Sequence, residues 1–516
     1  MIENVPLQTL ERLTEALLAQ EGTVTPDRIR DMIAQFRPLP ICQVSDADAE
    51  ALARRFEARH AVTMEIGSIL RERGYRPWLD AELAGIDFYY WNRYRKLLES
   101  KHLSHNVIST LHRETDRILA LLEKPSREGQ WGRRGMVVGD VQSGKTANYT
   151  GLICKAADAG YRLIVVIAGV HNNLRNQTQR RIDEGFVGRD SARLLSKRED
   201  RFVGVGRFDA TRRPVTFTNS LRDFSKQMAT GLGIPLQTLK EPAVLVIKKN
   251  PKTLQNLLEW LREHNAGRQM RSVDVPMLLI DDEADNASIN VAYKSGTVST
   301  INGQIRDLLQ MFSRSCYVGY TATPFANIFI DPDTDDDMRG QDLFPRDFIV
   351  SLESPTNYFG AARVFRDDSD LFVRHVEDYA DVLPLGHKKD HPIAALPGSM
   401  VTAVRTFVVG RAIRLLRGHR DQHCSMLINA SRFTGTQGAI RNLVQQTIEG
   451  IQGSVRVNGA LPSERALGDP EIAALQAVWE KEFVDSGYTW AEVQVELLNA
   501  AAPIRVVEVN GGVPRN

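Results

Sequence analysis

Eight consecutive residues, Gly139-Asp140-Val141-Gln142-Ser143-Gly144-Lys145-Thr146, carry the most specific chemistry in this chain. They satisfy the spacing G-x-x-x-x-G-K-[ST], in which glycines let successive backbone N–H groups converge on phosphate oxygens at a helix N-terminus. In that frame Gly139, Gln142, Ser143, Gly144, Lys145 and Thr146 hold a nucleotide. Lys145 reaches the β- and γ-phosphates, and Thr146 offers a hydroxyl to magnesium. The flanks suit the motif: the apolar run Met136, Val137, Val138 leads into it, and a helix-permissive run begins at Lys145. The ligand implied is ATP with magnesium.

A phosphate loop alone does not distinguish kinases, GTPases, transporters and helicases. The segment Met277-Leu278-Leu279-Ile280-Asp281-Asp282-Glu283-Ala284-Asp285 narrows the choice, because it reads as an apolar strand ending in carboxylates. Beside a phosphate loop, the first carboxylate of an Asp-Glu pair holds magnesium and the glutamate positions the attacking water. Asp282 is therefore assigned to magnesium and Glu283 to the base. The frame one residue earlier, Asp281 with Asp282, lacks a glutamate. A third element, Tyr317-Val318-Gly319-Tyr320-Thr321-Ala322-Thr323-Pro324, is again a strand ending in hydroxyl residues. Asp282-Glu283-Ala284-Asp285 spells the DEAD box, and with Thr321-Ala322-Thr323 after it the chain resembles superfamily 2 helicases and translocases. That resemblance implies that Thr321 and Thr323 couple the ATP site to a nucleic-acid track, a role suited to hydroxyls that switch hydrogen-bond partners.

The tract from Ala168 to Arg180 follows the second strand and is dense in amide and guanidinium donors, which grip phosphates without reading bases. His171, Asn172, Asn173, Arg175 and Gln177 are the nucleic-acid candidates. The wording of the three elements, with Asp342–Ile349 and Met426–Phe433, resembles the Z-one domain family over about residues 75 to 510. These are bacterial helicase-like proteins often labelled endonucleases. The resemblance implies a DNA-directed ATPase of restriction-like or anti-phage systems, in some cases beside a nuclease or a second ATPase subunit.

The elements that must position these residues fall into four spans. Residues 1–125 show helical stripes, Leu10, Leu13, Leu17, Leu18 and then Ile29, Met32, Ile33, Phe36, with a helix start at Pro26-Asp27. The aromatic cluster Phe88 to Tyr94 reads as core packing rather than a base-stacking surface. Residues 126–340 alternate short apolar strands (Met136–Val138, Leu163–Ala168, Val244–Ile247, Met277–Ile280, Tyr317–Gly319) with helices such as Lys145–Ala159 and Thr253–His264. That alternation predicts an α/β fold with a parallel sheet buried on both faces, a RecA-like P-loop lobe. The acidic run Asp331 to Asp337 reads as a solvated loop. Residues 341–395 suit a connector. Residues 396–516 predict a partial second RecA-like lobe, with helices near Met400–Arg417 and Gln437–Ile451 and strands Ser425–Ala430 and Ile504–Val509.

Composition excludes little. Hydrophobic residues make up 42% and charged residues 25%, and the net charge of +1 means that any nucleic-acid surface is local. No apolar run is long enough for a membrane span, and Met1 to Gln8 lack a signal-peptide pattern, so a cytoplasmic protein with no membrane partner is expected. Cys42, Cys154, Cys316 and Cys424 are far apart and read as reduced, buried residues. No Q-x-x-R-x-x-R arginine-finger spacing occurs: Gln177 and Arg180 begin one, but Asp183 fills the third place. A truncated gene product, or a finger supplied by another chain, is expected, with weak turnover. No nuclease centre is assigned: His105, His264 and His423 read as surface or packing residues, and Val246 stands where a (D/E)-x-K centre needs a carboxylate. Three readings follow: an ATP-driven translocase, an ATP-gated scaffold recruiting a nuclease, and an ATP-dependent endonuclease.

Overall fold

The computed structural model describes residues 5–18, 24–60, 63–141, 143–194, 201–232, 236–264, 272–290, 298–328, 335–336, 340–389 and 391–509. The chain forms two units, Met1–Arg363 and Val364–Asn516. The boundary falls inside the span read as a connector.

The first unit is built on a sheet whose strands are β1 (Ile69–Arg71), β2 (Trp131–Val138), β3 (Leu163–Ala168), β4 (Val215–Thr216), β5 (Ala243–Ile247), β6 (Met277–Asp282) and β7 (Arg314–Thr321). Asp335–Asp336 (β8) and Gly340–Gln341 (β9) pair with each other, and β10 (Phe348–Ser351) returns to the main sheet. The order across that sheet is β1-β10-β2-β7-β6-β3-β5-β4. Every ladder is parallel except β1 with β10. Parallel strands need crossovers that cover both faces, so alternate side chains enter two different cores. Ile164, Val166, Leu278, Ile280 and Val318 face one; Leu163, Val165, Met277, Leu279 and Tyr317 face the other. The fold is the expected α/β arrangement.

Three features were not in the sequence reading. The helices Tyr89–Ser100 and His105–Leu121 share a core with the sheet through Trp91, Tyr94, Leu111 and Ile118, whereas the segment up to His60 has its own core around Leu10, Ile29, Met32, Leu52 and Phe56. The aromatic cluster thus packs inside, as expected of core packing. The expected connector contributes β10, whose Phe348, Ile349 and Val350 pair with Gly135, Met136 and Val137 beside the phosphate strand. Of the acidic run, Asp335 and Asp336 form β8, and the other residues lie outside the described ones.

The second unit packs the helices Gly398–Leu416, Thr434–Asn458, Pro470–Glu482 and Trp490–Ala501 around Val408, Val409, Ile451, Leu475, Val493 and Leu497. Two of these helices are capped by the side chains before them: Asp469 accepts from Glu471 and Ile472, and Thr489 forms a reciprocal box with Glu492. The expected strands Ser425–Ala430 and Ile504–Val509 are corrected: both run without strand pairing. Ile428, Ala430, Ile504 and Val506 instead pack on the helical core, so their burial is met without a ladder. Helices and these extended segments are what the second unit shows of the expected partial lobe.

Candidate nucleotide site

β2, β7 and β6 lie side by side, with Val138 opposite Thr321 and Tyr320 opposite Asp282. Their carboxyl ends therefore deliver the phosphate loop, the Thr-Ala-Thr element and the acidic tip to one edge, where ligands of open α/β sheets bind. Gly144, Lys145, Thr146, Asp282, Glu283, Thr321 and Thr323 line a single cavity of about 1080 Å³, with Gln177 at its wall.

The loop's geometry follows from its residue types. Gly144 has φ 104°, a left-handed conformation that a side chain would strain, and it opens the helix Lys145–Ala159. The Ser143 hydroxyl donates to the Asp140 carbonyl at 2.7 Å. Lys145 Nζ donates to the Gly139 and Asp140 carbonyls at 2.8 and 2.6 Å. Burial lowers the affinity of this amine for its proton, opposed by Asp282, Asp140, Asp285 and Glu283. The Thr146 hydroxyl accepts from Arg181 at 2.9 Å. Gln142 lies outside the described residues.

Strand alternation separates the neighbouring carboxylates of β6. Asp282 follows Leu278 and Ile280 on the face of the helix Lys145–Ala159 and accepts from Tyr149 Oη at 3.2 Å. Asp281 follows Met277 and Leu279 on the opposite face, fully buried, 3.0 Å from Lys249 Nζ and accepting from Tyr317 Oη at 2.8 Å. Asp282 thus faces the loop and Asp281 does not. Burial, and then the neighbouring Glu283, raise the Asp282 carboxyl above its ordinary range. Two crowded carboxylates beside a threonine hydroxyl are hard oxygen donors suited to magnesium.

Glu283 itself has φ 54°, uncommon for a residue with a side chain. The turn it begins is tied to β7 by Ala284 N–H donating to the Tyr320 carbonyl at 3.0 Å. Gly319 makes that approach feasible, since a Cβ there would sit 2.9 Å from the Ala284 Cβ. Thr321 and Thr323 hydroxyls donate to the two Asp285 carboxylate oxygens at 2.7 and 2.5 Å. The third and second motifs are therefore joined directly.

The polar tract divides. His171, Asn172, Asn173 and Gln177 are exposed on the helix Asn172–Ile182 and the residue before it. Asn172 accepts from Lys248 Nζ at 3.0 Å. Arg175 is corrected: it is 1% exposed and its guanidinium donates to the carbonyls of Asn219, Arg222 and Val246. A side chain spent on interior carbonyls has no donor left facing a phosphate backbone.

Arg181, Tyr149 and Lys249 were missed by sequence reasoning. Nothing in local spacing marks them, because each reaches the site from a different crossover. The cavity also has an apolar wall, Leu97, Leu98 and Leu103, from the segment read as a separate helical domain.

The fold and this edge define the class as an α/β protein with a phosphate-loop motif at the carboxyl end of a mostly parallel sheet. Residues 399–514 match the family model of the Z1 domain, the Z-one family that the sequence resembles. The match lies beyond every residue of the cavity. No curated protein matches the chain. Among solved structures it is similar to the one titled "Crystal structure of Pyrococcus furiosus Hef helicase domain", at 12% identity over 72% of this chain and with a TM-score of 0.25. The match spans 65% of that chain, less than two thirds of its length. No helix among the described residues is long and apolar enough to cross a membrane.

Proposed function

We propose that this chain is an ATP-binding, helicase-like ATPase that works on nucleic acid, DNA in the first instance, as part of a restriction-like or anti-phage system. The observation that carries this reading is the convergence of Lys145, Thr146, Asp282, Glu283 and Thr321 on one cavity edge. Lys145 would exchange two loop carbonyls for phosphate oxygens, and Thr146 and Asp282 would hold magnesium, which when bound neutralises charge on the phosphates. Glu283 orients the attacking water and takes its proton. Thr321 and Thr323, both on Asp285, transmit the state of the acidic turn to the exposed tract at His171, Asn172, Asn173 and Gln177.

Turnover is expected to be weak wherever no arginine finger reaches the site, because such a finger contributes roughly 10³–10⁵ in related phosphoryl-transfer sites. A nuclease or second ATPase subunit is the partner class that fits. ATP hydrolysis measured with and without single- and double-stranded DNA tests the reading. Stimulation by DNA that disappears in Glu283→Gln supports it; hydrolysis unchanged by that substitution removes it. A second reading, an ATP-gated scaffold that never translocates, is favoured by the helical second unit, which shows no sheet of its own among the described residues. A triplex-displacement assay separates the two.

A further inference from the structure

The turn carrying Glu283 is held from two sides, and only one belongs to a recognisable motif. On the β7 side stand the Tyr320 carbonyl and the two threonines. On the other stands Lys249, two residues past β5, whose backbone N–H donates to the Gly169 carbonyl at 2.9 Å. Its Nζ donates to the backbone carbonyl of Glu283 and, at 2.8 Å, to that of Asn286, while forming the fully buried ion pair with Asp281. One ammonium group therefore bridges the last buried carboxylate of β6 and both ends of the turn that follows.

We propose that Lys249 is a positioning residue for Glu283: it fixes the left-handed backbone at residue 283 and so the direction of the carboxylate that orients water. This rests on the reading of Glu283 given above. An ammonium suits the task because it has several donors and no acceptor: it donates to two carbonyls while its charge faces the Asp281 carboxylate. Holding the turn by its carbonyls leaves the Glu283 side chain free to face the cavity. Asp281 is the counter-charge that lets the lysine be buried, which gives a function to the carboxylate the DEAD wording leaves over. A buried ion pair is weak evidence of stabilisation in itself, since an uncharged pair of similar volume often serves as well. Tether and ion pair can therefore be separated.

The test compares wild type, Lys249→Met, Lys249→Arg and the double variant Lys249→Met with Asp281→Asn, reading thermal midpoint, ATP affinity, kcat and amide exchange of residues 283–287. Lys249→Met alone leaves the buried Asp281 without its counter-charge and is expected to lower the midpoint. The double variant is expected to recover the midpoint and keep ATP affinity within a few-fold, yet lose about 10²-fold in kcat, the scale of a 1 Å misplacement. Its amides at 283–287 should exchange faster than in wild type. Lys249→Arg should recover part of kcat. Wild-type kcat in the double variant overturns the proposal, as does unchanged exchange at 283–287. Absence of turnover in wild type would count against the ATPase reading instead, and the exchange measurement would still decide the tether.

Discussion

Along the carboxyl edge of the first unit's sheet, the strand ends and the helix after β3 treat neighbouring residues differently. In β6 adjacent side chains point to opposite faces, so Asp281 and Asp282 part company by a simple period of two, and each finds a partner on its own face. In the helix Asn172–Ile182 each residue is turned by about 100° from the last, so a polar tract cannot all face outward. Asn172, Asn173 and Gln177 remain exposed while Arg175 is drawn under the helix onto three carbonyls. Polar composition in a helical tract is thus a weaker guide to a binding surface than a carboxylate at a strand end.

The strongest break of this comparison is at the strand ends. Lys145→Ala is expected to lower ATP affinity by about 10²-fold or more, removing charge-assisted phosphate contacts. Glu283→Gln should bind ATP normally while kcat drops about 10²–10⁴-fold. Single-turnover kinetics beside equilibrium binding separates the two effects.

The tract offers a sharper contrast. Arg175→Ala should cost about 3 kcal/mol of stability through lost buried hydrogen bonds and orphaned carbonyls, seen as a lower chemical-denaturation midpoint. Asn172→Ala with Asn173→Ala should leave that midpoint unchanged and weaken DNA binding several-fold by fluorescence anisotropy. The opposite pattern, a stable Arg175→Ala protein that no longer binds DNA, would return Arg175 to the proposed nucleic-acid surface.

A third prediction separates fold stability from site chemistry. Glu114, in the helix His105–Leu121 beneath the sheet, is 2% exposed, and burial pushes its carboxyl up to about 7 despite the Gly67 N–H it accepts. The native state then keeps a proton that the unfolded chain releases near the usual glutamate value. Stability should therefore fall as pH rises from that value to about 7, by about 3 kcal/mol for the whole shift, and level off above it. Glu114→Gln should flatten that part of the urea-unfolding profile without altering ATP affinity. Smallest of all, Thr321→Val removes the hydrogen bond to Asp285 and the one accepted from the Thr323 N–H, each worth about 1 kcal/mol, and should cut DNA stimulation several-fold with basal turnover retained.

Much of this edge was legible because its elements are contiguous. The loop and the strands around Leu163–Ala168 and Met277–Asp282 carry their own periodicity, and the helix Lys145–Ala159 begins and ends where the glycine spacing places it. Arg181 and Lys249 were not legible, because a lone cation gains its role only when a crossover returns it to the edge. Short strands failed for a related reason: Phe348–Ser351 reads as loop until β2 offers a partner, whereas Ser425–Ala430 and Ile504–Val509 read as strands yet have none.

The central claim is that a triphosphate docks on the backbone around Gly144 with its cation held toward Asp282. Calorimetric titration of magnesium-ATP into wild type, Lys145→Ala and Asp282→Asn tests it most directly. The account predicts a one-to-one complex in wild type, loss of that complex in Lys145→Ala, and retained nucleotide binding with a weakened magnesium dependence in Asp282→Asn. Equal affinity for magnesium-ATP in all three proteins would contradict it.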